Sequence, residues 1–318
     1  MTTWGIVSTI KAPQRAVLEF AAWHLEMGVH RLFLHLDAPD AATFDILKAH
    51  PRIRPRITDS AYWEASGVRR PTKHQPRQTF NATRTYARRA DVDWLCHLDV
   101  DEFLMSDAPV SEALDALPPD CMVARVRPME ALAPVDPEGD AWNFKVLVVD
   151  PAARRCVATE VWPTYGPYLN GGFLSHVAGK IFVRTGQADP AFRIHNFYAD
   201  GVENPGQQEV DTIALAHLHA RTWADWYAHY RYRHESGAYR AELKPNRPRD
   251  RGGMTLHELF AVIEAEGGEA GLRLFFDEVC AATPGHLERL LAAGLLRRAR
   301  MPLEALREKH FAGLETKS

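Results

Sequence analysis

The sequence predicts an α/β protein: a doubly wound, mostly parallel but mixed sheet flanked by helices, followed by a C-terminal helical appendage. Three observations predict it. Strand-like and helix-like runs alternate with short connections through the first hundred residues. Residues 92–104 carry a short apolar run that climbs to Asp99, Asp101 and Glu102, as expected where a buried strand ends at the ligand-binding edge of an open sheet. From Thr222 onward the period becomes helical and strand-like runs cease. The expected division is a main domain over residues 1–221 and a helical region over 222–318.

The elements follow in order. Residues 4–10 are apolar and β-branched and read as the first strand. Pro13 suits a first helical turn, Val17, Phe20, Ala21, His24 and Leu25 recur at helical spacing, and Gly28 ends the helix. Residues 31–36 form a second strand and 43–48 a short helix. Residues 53–58 are a third strand candidate, weakened by Pro55. Residues 59–76 read as a long irregular loop with Tyr62, Trp63, Arg69, Arg70, Lys73 and His74. That loop is either a lid whose aromatics stack on a ligand or a surface segment whose aromatics cover the core edge. A basic helix over 77–89 leads into the acidic strand, 110–117 is helical and 121–126 is a strand. Residues 128–179 read as irregular apart from a strand near 144–149, and strands follow at 180–183 and 213–219. The aromatic spacing of Trp223, Trp226, Tyr227, Tyr230 and His234 is that of a packed helix face. Thr255 and Glu258 spell a capping box, with further helices at 272–281, 287–293 and 303–311.

Bulk properties narrow the function classes. The chain has 318 residues, 46% hydrophobic and 25% charged, and a formal net charge of −3, which gives no electrostatic footprint for nucleic acid. The four cysteines form no Cys-x-x-Cys pair, as expected of a chain in a reducing cytoplasm. No apolar run is long enough to span a bilayer. The expected location is cytoplasmic, either free or peripheral at the inner face of the membrane. Dinucleotide, P-loop, zincin and nucleophile-elbow motifs are all missing. Asn81-Ala-Thr83 reads as a chance glycosylation sequon within a helix.

The chemistry concentrates at Asp99 and Asp101. Extended backbone would point both carboxylates into one volume, and a hard divalent cation would relieve their repulsion while also holding a phosphate. The plainer alternative is that these acids cap the next element. His217 and His219 flank Leu218 and could share a face. The alternatives are a histidine pair at a metal, one buried and one exposed ring, or a single histidine joining the two aspartates.

The order of these segments resembles a family-2-type bacterial glycosyltransferase of the GT-A fold, in the branch whose core reads ADW…DxDEF. The resemblance covers roughly residues 4–233 and rests mainly on Val92-Asp-Trp94 with Leu98-Asp-Val-Asp-Glu-Phe103. Supporting matches are Val7-Ser-Thr-Ile-Lys11, Leu18-Glu19-Phe20 with His24, and Leu34-His-Leu-Asp37 with Asp40. Later ones are Lys180 before Phe182-Val-Arg184, His195, and His219 followed by Arg221-Thr222 and Trp226. The resemblance implies that Asp101 and Asp99 are catalytic and hold Mn²⁺ or Mg²⁺, with His219 as a further metal or diphosphate ligand. It also implies donor binding by Lys11, Asp37, Asp99 and Lys180, and a nucleotide-sugar donor with a glycan, lipid-linked or protein acceptor. Where the family carries Asn-Glu after the lysine of its first strand, this chain has Ala12-Pro13. Asp200, Glu203 and Asp211 are candidate general bases, each equally readable as a solvated loop acid. Two other classes stay open: an inactive nucleotide-sugar-binding module, and a phosphatase using Asp-x-Asp as nucleophile and acid/base.

Overall fold

β1 (Trp4–Ile10) is buried at all seven positions, which requires cover on both faces, in a computed structural model that describes every residue except 39, 89, 135–138, 236–238, 240–244, 246–247 and 314–318. α1 (Gln14–Glu26) follows, and Gly28 takes φ +85° just beyond it, a conformation that glycine adopts without strain. β2 (Arg31–Leu36) leads to α2 (Ala41–Ala49), which is capped by Asp40 accepting from the Ala42 and Thr43 N–H groups. β3 (Ile53–Ile57) is the end strand of the sheet, so the missing N–H of Pro55 costs nothing there. α3 (Ser60–Ser66) and α4 (His74–Ala87) come next, then β4 (Trp94–His97), β5 (Glu102–Ser106), α5 (Val110–Asp115) and β6 (Val123–Leu132). The chain continues through β7 (Ala141–Val146), α6 (Pro151–Val161), β8 (Lys180–Arg184), β9 (Ala191–Phe192), β10 (Phe197–Ala199), β11 (Val202–Glu203) and β12 (Gln208–His217). Last are α7 (Trp223–Glu235), α8 (Leu256–Val279), α9 (Pro284–Ala292), β13 (Leu296–Arg300) and α10 (Leu303–Phe311).

The chain separates into two compact units with interleaved boundaries. The first comprises Met1–Arg127, Ala178–Leu215 and Pro302–Ser318. Its strands β4, β1, β2 and β3 lie side by side and parallel, while β8 joins β4 and the first half of β6 in antiparallel pairing. β12 pairs with β5, and β9–β10–β11 form a small sheet of their own. α10 packs on α1 within this unit: Lys309 and His310 reach Glu26 at 2.8 and 3.0 Å, Arg15 reaches Glu304 at 2.8 Å, and Phe311 is fully buried.

The second unit comprises Pro128–Val177 and Ala216–Met301. The second half of β6 pairs antiparallel with β7, and β13 pairs antiparallel with the other edge of β7. The helices α7, α8 and α9 build an aromatic core around Trp226, Tyr230, Phe260, Phe275 and Phe276. Thr255 and Glu258 form the expected capping box at the start of α8, and Gly268, at φ +55°, kinks that helix. Glu130 and Lys145 make a buried ion pair at 2.9 Å, and Lys145 also donates to the Gly172 and Val279 carbonyls.

Several expectations change. The irregular stretch 59–76 contains α3, and 128–179 contains α6, whose Asp150 cap and Pro151 are start signals that the aromatic and glycine content obscured. The C-terminal region is not purely helical, because β13 interrupts it. β12 begins at Gln208 rather than 213 and ends at His217. The contact units also differ from a single division at residue 221, since residues 128–177 group with 216–301.

Candidate functional site

The carboxyl ends of the parallel strands bring four of the expected residues to one edge of the first unit. Lys11 follows β1, Asp37 follows β2, and Asp99 and Asp101 follow β4. Open α/β sheets bind ligands at this edge because the loops there are free to diverge. The Asp37 N–H bonds back to the Ile10 carbonyl at 2.8 Å, tying the β2 end to the β1 end. Lys11 is exposed.

The two aspartates do not reach this edge as alternating residues of an extended strand. β4 stops at His97, Val100 and Asp101 form a turn, and β5 begins at Glu102. The turn closes on itself: the Glu102 N–H donates to the Asp99 carbonyl at 3.0 Å, and the Asp99 N–H donates to Glu102 Oε2 at 2.8 Å. The capping alternative therefore holds for Glu102, whose carboxylate accepts the Asp99 N–H. Lys180, fully buried on β8, places Nζ 2.7 Å from Asp99 Oδ2 and 3.1 Å from Glu102 Oε2. Burial alone would lower the ammonium's pKa, but the charges of Asp99 and Glu102 and their hydrogen bonds raise it above the usual lysine value. Gln78 of α4 donates to the other oxygen of Asp99. Lys180 is thus a charge partner within the protein, spent on two carboxylates.

Asp37 is also enclosed by cations. Arg77 Nε lies 2.8 Å from Oδ2 and Arg70 Nη2 lies 3.0 Å from Oδ1, with His74 at 3.8 Å and the Thr58 hydroxyl at 3.3 Å. Burial would raise this carboxyl's pKa, but His74, Arg70 and Arg77 outweigh it and hold the value at about 2. With the folded-state pKa depressed, the ionised carboxylate stabilises the fold above about pH 4 and loses that contribution as pH falls toward 2. Asp37→Asn is expected to lower the urea midpoint at pH 7, with the gap to wild type narrowing between pH 4 and pH 2. A gap that stays constant across that window would show that Asp37 carries no such charge stabilisation.

Residues 59–76 do not behave as an aromatic lid. Tyr62 and Trp63 are buried; the Tyr62 hydroxyl donates to Asn81 Oδ1 at 2.7 Å and Trp63 Nε1 to the Thr58 carbonyl at 3.1 Å. These aromatics cover the core edge, while Arg69 and Lys73 remain exposed. A cleft of about 670 Å³ opens beside them, lined by Asp37, Thr58, Ser60, Trp63, Arg69 and Arg70.

Sequence reasoning overlooked α4 as a site element. Its residues Arg77, Gln78, Asn81 and Thr85 fall on one face, and each bonds to the sheet or its loops: Arg77 to Asp37, Gln78 to Asp99, Asn81 to Thr9 and Thr85 to His35. A polar stripe at helical spacing was the available signal, masked by the exposed arginines of the same helix. Asn81 is fully buried, which agrees with reading its sequon as chance. The candidate bases Asp200, Glu203 and Asp211 are all exposed, and Asp211 lies on β12 rather than before it.

His219 belongs to the second unit. Both His217 and His219 are buried there, with ring centroids 5.3 Å apart, so the alternative of one buried and one exposed ring does not hold. His219 Nε2 lies 2.9 Å from the Tyr239 hydroxyl, and His176 lies 6.3 Å from His217. Among the described residues, no group of three or more His, Cys, Asp or Glu is gathered so as to hold a metal by itself. Two carboxylates with oxygen donors still suit Mg²⁺-type binding, in which substrate phosphates and water complete the shell.

No protein-family model matches the chain, and no curated protein matches it in sequence. Among solved structures it is similar to the WbbM bifunctional glycosyltransferase in its apo form, at 17% identity and TM-score 0.29, over 57% of this chain and 31% of that one. It is also similar to HddC from Yersinia pseudotuberculosis, at 10% identity and TM-score 0.28, over 43% and 65% of the two chains. A third is the galactosyltransferase LgtC in complex with donor and acceptor sugar analogues, at 16% identity and TM-score 0.26, over 57% of each chain. The chain therefore spans about a third of the first and less than two thirds of the other two.

Proposed function

We propose that the chain is a metal-dependent glycosyltransferase that moves a sugar from a nucleotide-sugar donor to a glycan, lipid-linked or protein acceptor. The observation that carries this reading is the Asp99-Val100-Asp101 turn at the carboxyl end of β4, on the same edge as Asp37 and its cleft. In the strand order β4–β1–β2, Asp99 and Asp37 stand two strand spacings apart, about 10 Å. That leaves room for a nucleoside at one end and a diphosphate at the other. Both oxygens of Asp99 are engaged, by Lys180 and by Gln78, and it is the resemblance of the motif that assigns Mn²⁺ or Mg²⁺ chiefly to Asp101.

In this reading Asp101 would hold a divalent cation, which when bound would supply a Lewis acid for the charge that gathers on the departing nucleoside diphosphate. Lys180 and Gln78 fix the Asp99 carboxylate, so it meets the donor without reorganising. Arg69 and Lys73, exposed near the cleft, offer further positive charge to the diphosphate. Asp37, held by its arginines, faces the cleft where a ribose or base would lie.

The test is calorimetric binding of UDP-, GDP-, CMP- and dTDP-sugars with and without Mn²⁺, followed by turnover of any donor that binds. Asp101→Ala is expected to weaken Mn²⁺-dependent nucleotide binding by on the order of 100-fold, the upper end of what loss of a metal-site partner costs, in a protein that still folds. Mn²⁺-dependent binding that survives in this variant would refute the assignment. Binding without turnover would mark a nucleotide-sugar-binding module instead of an enzyme.

A further inference from the structure

The first unit has a second cavity, of about 490 Å³, against the edge strand and the carboxyl-terminal half of α4. Its rim is cationic, with Lys48, Arg54, Arg56, Arg84 and Arg88, and among the described residues no carboxylate lines it. Its walls are the rings of Phe33, Phe44, Tyr62 and His35. The register explains the gathering: Phe33 pairs with Arg54 and His35 with Arg56, so both arginines share a sheet face with the two rings. Two polar atoms at this wall are unsatisfied. His35 is buried and its Nε2 meets the Thr85 hydroxyl at 3.0 Å, but Nδ1 has no partner. Arg84 Nε is buried without a partner, while its guanidinium stacks over Tyr62 and Phe80 at 5.5 and 5.7 Å. Five cations around one cavity, with no carboxylate among its described lining, repel one another, and the buried Arg84 Nε–H without an acceptor costs free energy. One anion relieves both.

We propose that this cavity binds a phosphate-bearing ligand, with the phosphate on Arg56, Arg84 and Arg88 and an attached apolar or planar group against the ring wall. Arginine suits this role because its planar fork meets phosphate oxygens two at a time. The site is separate from the Asp37 cleft. Arg77 and Gln78 serve the strand-end site at the start of α4, and Arg84 and Arg88 lie six to eleven residues further on, about 9–16 Å along the helix axis. The inference does not depend on the glycosyltransferase reading.

The same phosphate chemistry occurs in soluble phosphate esters and in lipid headgroups, and the experiment separates them. Calorimetry would titrate inorganic pyrophosphate into the full chain in metal-free buffer, and co-sedimentation would use vesicles of phosphatidylcholine with and without phosphatidic acid. Arg56→Gln/Arg88→Gln removes two exposed charges without touching the core, and Arg155→Gln/Arg298→Gln removes two exposed charges of the second unit, so overall electrostatics is matched. The expected result is at least tenfold weaker pyrophosphate binding in the first variant and none of that loss in the second. Binding seen only with phosphatidic acid vesicles, and lost in the same variant, would assign the site to a lipid headgroup. No binding of either probe, or equal losses in the two variants, would overturn the proposal.

Discussion

Replacing Lys180 with methionine is expected to lower the unfolding free energy by about 3–5 kcal/mol at pH 7, the cost of breaking a buried ion pair from one side. The side chain is fully buried and so is Glu102, whose Oε2 lies 3.1 Å from the ammonium. Methionine fills similar volume, so the loss comes from charge and not from a cavity. Without the ammonium, Glu102 and Asp99 face each other across one turn, and one of them must take up a proton or draw in water. Typical domains are stable by about 5–15 kcal/mol, so this single change removes a large share. Urea unfolding measures it, and a loss under about 1 kcal/mol would show that the pair is worth no more than an exposed one. Lys180→Met/Glu102→Gln is expected to recover part of the loss, because the remaining polar group can be neutral.

Trp226→Ala is expected to cost about 3–5 kcal/mol in the second unit, the range for truncating a large buried aromatic. The ring is fully buried and meets Trp223, Tyr230, Phe260 and Phe276 at centroid distances of 5.4–5.9 Å and Phe275 at 6.2 Å. Its Nε1–H points at the Tyr239 hydroxyl, 3.3 Å away, so truncation also strands a buried donor-acceptor contact. Trp226→Phe keeps most of the ring area and should cost far less. Hydrogen exchange would locate the loss: amides of α7 and α8 should lose protection, while those of β1 and β4 should keep theirs. Uniform loss of protection along the chain would mean that the units do not unfold separately.

The first hundred residues were legible because their signals are local. β-branched runs, Asp40, Pro13 and Gly28 each act within a few residues, and the observed strands β1 to β3 match their patterns closely. The Thr255 capping box and the aromatic face of α7 were readable for the same reason. What failed required partners distant in sequence. Lys180 is an ordinary lysine until β8 pairs with β4 and brings it beside Asp99, 81 residues earlier. Gln78 and Arg77 acquire roles only when α4 lies along the strand ends. β13 has weak strand character and takes its conformation from the open edge of β7. The resemblance pointed to Asp99, Asp101 and Asp37 by motif, but it could not reveal that Lys180 pairs with Asp99 and that Arg70 and Arg77 pair with Asp37.

The packing of α10 on α1 has a consequence for how the protein is made. The ribosome finishes α1 early, yet Glu26 and the adjoining surface of that helix meet their partners Lys309, His310 and Phe311 only after nearly three hundred more residues have been added. At about 5–20 residues per second, that interval is on the order of tens of seconds. During it the whole of the second unit is synthesised, and its own pieces can collapse together first. The first unit is therefore begun before the second and closed after it. Until α10 arrives, the surface of α1 that it covers stays exposed on the nascent chain.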